Sequence, residues 1–195
     1  MGTRLSADET APTTIGRAQA TDGPGIARAN VLASGVAYRD LPGAAEHLDR
    51  FLLNDMGPRK LADWSEVAES GDPGLLVART ADGTVAGYIW VSMSDDGSGS
   101  IDSWYVHPNW HGAGVGRELM RAGLERLGNV DVYAHTVLGT AAVERHQRYG
   151  FVILDGLRET PQPLRNAGIH APLVALKRPA LRRAAEVAST ARTIL

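Results

Sequence analysis

The sequence predicts a single α/β domain in which helices flank a mixed, mostly antiparallel sheet. Three observations support this prediction. Alternating apolar residues in the middle of the chain indicate three consecutive antiparallel strands. A glycine-rich turn then opens an amphipathic helix over 112–128. A strand, a short helix and a second strand follow over 131–154, which is the order of a β-α-β unit.

The composition and net charge of the chain exclude several partners and types of chemistry. Its 195 residues are 44% apolar and 22% charged, which is typical of one globular domain. The formal net charge of −2 offers no positive field for nucleic acid or an anionic membrane, so we expect neither as a partner. No cysteine is present, which excludes disulfides and cysteine nucleophiles and fits the reducing cytoplasm, where we expect the protein. No apolar run approaches the length of a membrane span.

The first strand and helices are predicted from residues that typically start or end an element and from the spacing of the apolar residues. Residues 1–11 are polar and aperiodic, which indicates a flexible leader. A strand fits within 13–18, and Asp22 stands where a first helix would be capped. Apolar residues then recur at helical spacing from Ala44, which predicts a second helix that ends at Gly57–Pro58.

Three strands come next, followed by the β-α-β unit. The runs 75–79 and 85–93 flank Asp82-Gly83, a strong hairpin signal, and a second turn leads into 100–106. Thr140 is placed to cap the short helix of the later unit.

A last strand at 173–176 completes the predicted sheet. We therefore expect the folded domain to occupy 12–178. The remaining segment, 179–195, is a basic tail on an alanine-rich background that favours helix.

The segment from the end of the third strand into the long helix contains the chemistry. His111 precedes a run in which three of five residues are glycine, Gly112 to Gly116, and the helix begins there. Glycines let the backbone approach a ligand without β-carbons in the way, and helix-start amides sit at the positive end of the helix dipole. Such a turn favours a phosphate group.

Three classes of phosphate site compete for this pattern. A P-loop would need a lysine directly after the last glycine, and none is present. A dinucleotide fingerprint would need a glycine where Arg117 stands, and a strand that runs directly into the turn, whereas 108–111 intervenes. The third class is acyl-CoA, whose diphosphate can sit on the same kind of helix start.

Two motifs resemble those of the GNAT-type N-acetyltransferases. Val106-His107-Pro108 followed by the glycine run is similar to their signature, with His111 in place of the usual Gln or Arg. In the short helix, Ala142, His146, Gly150 and Phe151 fall at the family's offsets, with Gly139 in place of Asn and His146 in place of Tyr.

The resemblance implies a GNAT-like fold and acetyl-CoA as the co-substrate. It also implies that the strand backbone pairs with pantetheine and that the turn binds the diphosphate. The residues that this assigns to cofactor binding are Trp104, Tyr105, Val106, His111, Gly112, Ala113, Gly114, Val115, Gly116 and Arg117.

Two side chains are candidates for catalysis. Asp102 is the candidate base, and strict alternation along the strand would put it on one face with Trp104 and Val106. His146 stands where the family holds a tyrosine acid. A phenol stays protonated at neutral pH, whereas an imidazole is mostly in its neutral form there. The N–H of the neutral imidazole could still contact sulfur.

These expectations converge on acetyl transfer from acetyl-CoA to a primary amine by direct attack on the thioester. The acceptor is either a small-molecule amine or a protein amine, and the sequence does not choose between them. The alternative is a non-catalytic acyl-CoA-binding or sensing module, which the departures at His111, Gly139 and His146 favour. We expect no metal, and the oligomeric state is left open, with a homodimer as one arrangement.

Overall fold

A computed structural model of the chain describes residues 13–44, 48–50, 52, 54 and 57–181. The expected leader over 1–11 and all but the first residues of the expected tail lie outside the described residues. The described strands are β1 (Thr14–Arg17), β2 (Leu75–Arg79), β3 (Val85–Met93), β4 (Gly99–Val106), β5 (Val132–Val137), β6 (Val152–Arg158) and β7 (Leu173–Arg178). The described helices are α1 (Gly23–Tyr38), α2 (Leu48–Arg50), α3 (Gly57–Glu69), α4 (Val115–Leu127), α5 (Ala141–Gln147) and α6 (Gln162–Asn166).

The described strands form one sheet in the order β1-β2-β3-β4-β5-β7-β6. All neighbours are antiparallel except β4 and β5, which run parallel. That parallel pairing covers only Gly99–Ile101 against Val132–Ala134, although β4 continues to Val106. The C-terminal half of β4 therefore has no strand partner on its β5 side, and a gap opens in the middle of the sheet. The mixed, mostly antiparallel sheet of the prediction is confirmed.

Each face of the sheet is covered by helix. On one face α4 buries Val115, Leu119 and Met120 against the central strands, which is the amphipathic pattern seen in its sequence. On the other face α1 and α3 bury Ile26 and Trp64 against β2 and β3. The glycine turn before α4 thus lies at the open end of the gap between β4 and β5.

Most strand predictions are confirmed to within a few residues, and two details differ. The hairpin at Asp82-Gly83 forms, with Gly83 in the left-handed region at φ +85°. The last strand, β7, is inserted between β5 and β6, so that the β-α-β unit encloses an antiparallel strand. The short helix α6 was not predicted because its five residues carry little apolar period.

A helix that begins at Gly57–Pro58 was not predicted. These residues start the 13-residue helix α3, and residues 55 and 56, where the predicted second helix would end, lie outside the described residues. Proline suits the first turn of a helix, because the amide it lacks has no acceptor there in any case. The helix α3 buries Trp64 and Ala68, one turn apart, against the sheet and α1. Within the described ranges, no helix has the length and apolar content needed to cross a membrane.

Candidate active site

The glycine turn has an open surface and a packed one. Gly112 and Gly114 hold φ values of +88° and +82°, a region that side chains with a β-carbon rarely adopt. A β-carbon built on Gly112 would meet no atom within 4 Å, so the space above it is free for a ligand. A β-carbon on Gly116 would lie 3.4 Å from Trp104 and from Val106, so this glycine lets α4 approach β4 closely.

The amides at the start of α4 form a cluster of available donors. The first backbone bond of the helix runs from the Glu118 amide to the Gly114 carbonyl at 3.1 Å. Among the described residues, the amides of Val115, Gly116 and Arg117 have no carbonyl acceptor. These donors lie at the positive end of the helix dipole and fit an anionic group of the size of a phosphate.

The edge of β4 that faces the gap presents backbone groups beside this turn. The His107 amide donates to the Ala86 carbonyl of β3 at 2.9 Å. Because donors alternate along an antiparallel ladder, the amides of Trp104 and Val106 point away from β3 and into the gap. The Val106 carbonyl on the same edge accepts a bond of 2.9 Å from Nε2 of His111, which ties the turn to the strand.

The predicted facing of Asp102 is wrong because β4 contains a bulge. Trp90 pairs with Ser103, whereas Val91 pairs with Ile101, so Asp102 is an extra residue in the ladder. Ile101 and Trp104 consequently pack in the same core cluster on the α4 face, which strict alternation would forbid. The sequence predicted by strict alternation that Asp102 and Trp104 share a face, and the extra residue in the ladder breaks that alternation.

Asp102 lies at the apex of the gap. It follows Ile101, the last residue of β4 that pairs with β5, and its side chain is exposed. The Ser100 hydroxyl donates to its carboxylate at 2.7 Å. On β5, His135 follows the last paired residue in the same way and is also exposed, so the two side chains flank the start of the opening.

His146 is buried beside the turn, with 6% of its surface exposed. Its Nδ1 lies 2.7 Å from the Ala142 carbonyl, an acceptor, so Nδ1 carries the proton of the neutral ring. Burial lowers the pKa of His146, and the bond to Ala142 opposes this only in part. The neutral ring therefore has a lone pair at Nε2 and no second N–H for a leaving sulfur.

The Trp104 side chain fills the space between the two motifs. Its ring meets the rings of His146 and Tyr149 edge to face, with centroids 5.3 and 5.9 Å apart. Its Nε1 is buried without an acceptor among the described residues. The sequence assigned only the backbone of Trp104 to the site, because nothing in the motif shows where an indole would pack.

A polar network lies under α1 on the opposite face of the sheet. The Asn30 side-chain amide donates to the Tyr88 hydroxyl at 2.6 Å, and that hydroxyl lies 2.8 Å from the Ser103 hydroxyl. Nearby, the hydroxyls of Tyr38 and Tyr105 are 3.4 Å apart. Sequence reasoning missed this network, since its members are distant in the chain and carry no common motif.

Arg117 stands on the exposed side of the turn. Its guanidinium is 3.3 Å from Glu118 and lies 3.9 Å from the place where a β-carbon of Gly114 would be. The side chain is thus close to the turn, although it is largely exposed to solvent. Ala113, in contrast, packs against the core on the α4 side.

The sequence of the chain matches that of a known protein family. The sequence model of the acetyltransferase (GNAT) family matches residues 42–151, and the chain belongs to this family. A mycothiol acetyltransferase from Nocardiopsis dassonvillei is 32% identical over 116 residues, which are 53% of this chain and 33% of that protein. The chain thus spans about a third of the length of the curated relatives it matches.

Solved structures share the same architecture. The structure of yncA from Salmonella typhimurium with its cofactor acetyl-CoA has a TM-score of 0.57 and 25% identity, covering 89% of this chain and 97% of that one. The PaiA N-acetyltransferase from Thermoplasma acidophilum, in complex with coenzyme A, has a TM-score of 0.62 at 13% identity. It covers 85% of this chain and 98% of its own, and at that identity it supports the fold alone.

Proposed function

We propose that this protein transfers an acetyl group from acetyl-CoA to the nitrogen of an amine. The observation that carries the proposal is the open edge of β4 next to the glycine turn. Backbone donors of Trp104 and Val106 face the gap, and the free amides of α4 begin at its open end. An extended chain with amide groups can pair with the first set while a diphosphate binds the second.

The residues present fit acetyl-CoA in this arrangement. The space above Gly112 is open, and Arg117 lies beside the turn with a cationic group for phosphate oxygens. The yncA structure with acetyl-CoA supports the choice of this cofactor, since the two chains align over nearly their whole lengths. Acetyl-CoA would supply the activated acetyl group as a thioester.

Asp102 is our proposed base for the acceptor amine. An amine attacks only when neutral, so one proton must leave its nitrogen before or during the formation of the C–N bond. The exposed carboxylate at the apex of the gap can take that proton directly or through water. The C–S bond breaks as the C–N bond forms, and the sulfur departs with its electron pair.

We propose that His146 contributes mainly by positioning Trp104. The single proton of the neutral ring is held by the Ala142 carbonyl, so a sulfur-contacting acid role would need a protonated ring or the other tautomer. A thiol has a reference pKa of about 8.5 and leaves readily as thiolate, so the reaction has little need for an acid.

Binding of acetyl-CoA is tested by a pair of glycine variants. Gly112→Ala and Gly97→Ala both place alanine at a positive φ with no atom within 4 Å of the new β-carbon. Each should lose about 1–2 kcal/mol of stability from backbone strain. Only Gly112→Ala should also weaken acetyl-CoA binding in calorimetry, by tenfold or more, because its β-carbon enters the proposed diphosphate space. Equal affinities in the two variants would contradict the assignment of the turn.

Acetyl transfer is tested by release of free thiol with a panel of amines. The panel contains small amines and peptides with a lysine or a free α-amine. Thiol release above hydrolysis with any of them supports the enzyme. Tight acetyl-CoA binding without release from any acceptor would instead indicate a non-catalytic acyl-CoA-binding module.

A further inference from the structure

A cleft of about 290 Å³ lies on the α1 side of the sheet, separate from the gap between β4 and β5. Its walls come from the start of α1, the β2–β3 turn and the segment that follows β4. The polar side chains that line it include Thr21, Arg28, Thr84, His107 and Asn109, and none of the described residues that line it carries a carboxylate.

Arg28 is the charged group of this cleft. Its guanidinium has no hydrogen bond or ion pair with any other residue in the described part of the chain. The two carboxylates nearest to the walls in sequence have other partners. Asp22 is bound to Arg79, and Asp82 is bound to the Thr80 hydroxyl and the Thr84 amide. Within 13–44 and 57–181, the positive charge of Arg28 is therefore not cancelled by an ion pair with a neighbour.

His107 supplies a hydrogen-bond donor to the cleft, and the nitrogen that carries its proton can be assigned. The side chain is 7% exposed, and its Nδ1 accepts from the Asn109 backbone amide at 3.2 Å. A backbone amide can only donate, so Nδ1 is unprotonated and the neutral ring carries its proton on Nε2. Burial lowers the pKa of His107, and Arg28 lowers it further, so the ring stays neutral at pH 7. Trp110 packs edge to face on this ring with centroids 5.1 Å apart.

We propose that this cleft is a binding site for a small oxyanion, a carboxylate or a phosphoryl group, held by the Arg28 guanidinium and the Nε2–H of His107. Among the residues that the structure describes, the cleft combines a cation without an ion-pair partner, a buried neutral donor and no lining acid. This combination favours an anion over a cation or a neutral ligand. The site is distinct from the glycine turn, which begins beyond Trp110, and it does not depend on the proposed acetyl transfer.

The test is calorimetric titration of the CoA-saturated protein, so that the glycine turn is already filled. Inorganic phosphate and acetate are titrated separately at constant ionic strength, and the comparison of the two distinguishes a phosphoryl from a carboxylate preference. We expect at least one anion to bind, and Arg28→Gln to weaken it about tenfold or more. Arg28→Lys keeps the charge without the planar fork and should weaken it less.

Two further variants separate the site from a general charge effect. His107→Asn retains an acceptor for the Asn109 amide but has no Nε2–H, and it should weaken the anion about threefold. Arg126→Gln removes the same charge from the last turn of α4, at the far end of that helix from the glycine turn, and should leave anion binding unchanged.

Three results would overturn the proposal. The first is that neither anion binds the CoA-saturated protein, and the second is that Arg28→Gln binds both as well as the unaltered protein does. The third is that Arg28→Gln weakens CoA itself while added anions fail to bind, because the cleft would then belong to the cofactor.

Discussion

At the scale of single residues, the proposed base makes a sharp prediction. Asp102→Asn removes the proton acceptor but keeps the size of the side chain. We expect kcat/KM for the amine to fall about 100-fold at neutral pH, which is within the usual range for a general base. The loss should shrink at high pH, where the amine is already neutral. Affinity for acetyl-CoA should change less than twofold.

A matched charge change controls this experiment. Asp155→Asn removes one carboxylate from the exposed strand β6 and should leave the kinetics unaltered. An Asp102→Asn enzyme with full kcat/KM across the pH range would rule out the carboxylate as the base.

The buried ring of His146 predicts how stability depends on pH. Because burial lowers its folded-state pKa, the unfolded chain takes up a proton near pH 6.5 that the folded protein takes up only at lower pH. Acidification through pH 6.5 therefore favours unfolding, by at most about 1.4 kcal/mol per pH unit for this group. Urea unfolding between pH 7.5 and pH 5 should show a smaller loss for His146→Phe than for the unaltered protein.

The exposed His170 provides the control for that measurement. It lies on the surface after α6, so comparing His170→Gln with His146→Phe separates the loss of a buried ring from the loss of any histidine. An unchanged dependence in His146→Phe would mean that His146 does not link protons to folding.

At the scale of elements, the sequence predicted the features that depend on local backbone preferences. It missed the features that depend on pairing or packing with neighbouring elements. The Asp82-Gly83 hairpin and the α4 stop at Gly128 follow from backbone preferences of the residues themselves. The bulge at Asp102 depends on register against β3, and a one-residue slip reverses every later side chain. Gly57–Pro58 is ambiguous, because the same pair can end one helix or begin the next.

The candidate site divides in the same way. Spacing alone indicated the glycine turn, whose conformation depends on glycines within five residues. The Asn30–Tyr88–Ser103 network and the packing of Trp104 join residues far apart in the chain, so no sequence window contains them.

The bulge in β4 is held from β3, which gives an element-scale prediction. The Tyr88 hydroxyl joins Ser103, the residue after the bulge, to Asn30 on α1. Tyr88→Phe should cost about 1–3 kcal/mol, because the buried Asn30 amide loses its acceptor. In a double-mutant cycle with Ser103→Ala, urea unfolding should give a coupling energy of about 0.5–1.5 kcal/mol. Additive losses would mean that the two hydroxyls do not support each other.

At the scale of the whole molecule, the sheet stays open between β4 and β5, which leaves part of β4 without a strand partner on that side. β4 and β5 pair at one end through Gly99–Ile101. Beyond that end, β4 packs on one core cluster through Trp104 and Val106 and on the other through Tyr105. The exposed backbone edge is a cost in the free protein, since its donors have only water as partner. A ligand that pairs with this edge recovers those bonds, so ligand binding offsets the cost of the open edge.

This reasoning predicts which amides respond to acetyl-CoA. In the free protein the amides of Trp104 and Val106 should exchange with solvent faster than that of His107, which is bonded to Ala86. Saturation with acetyl-CoA should slow the first two about tenfold, as expected for one net hydrogen bond each. The Gly99 amide, bonded to Asp131 at the closed end, is the internal reference. Residue-resolved exchange by NMR measures all four, and unchanged rates at Trp104 and Val106 with bound acetyl-CoA would show that the ligand does not pair with β4.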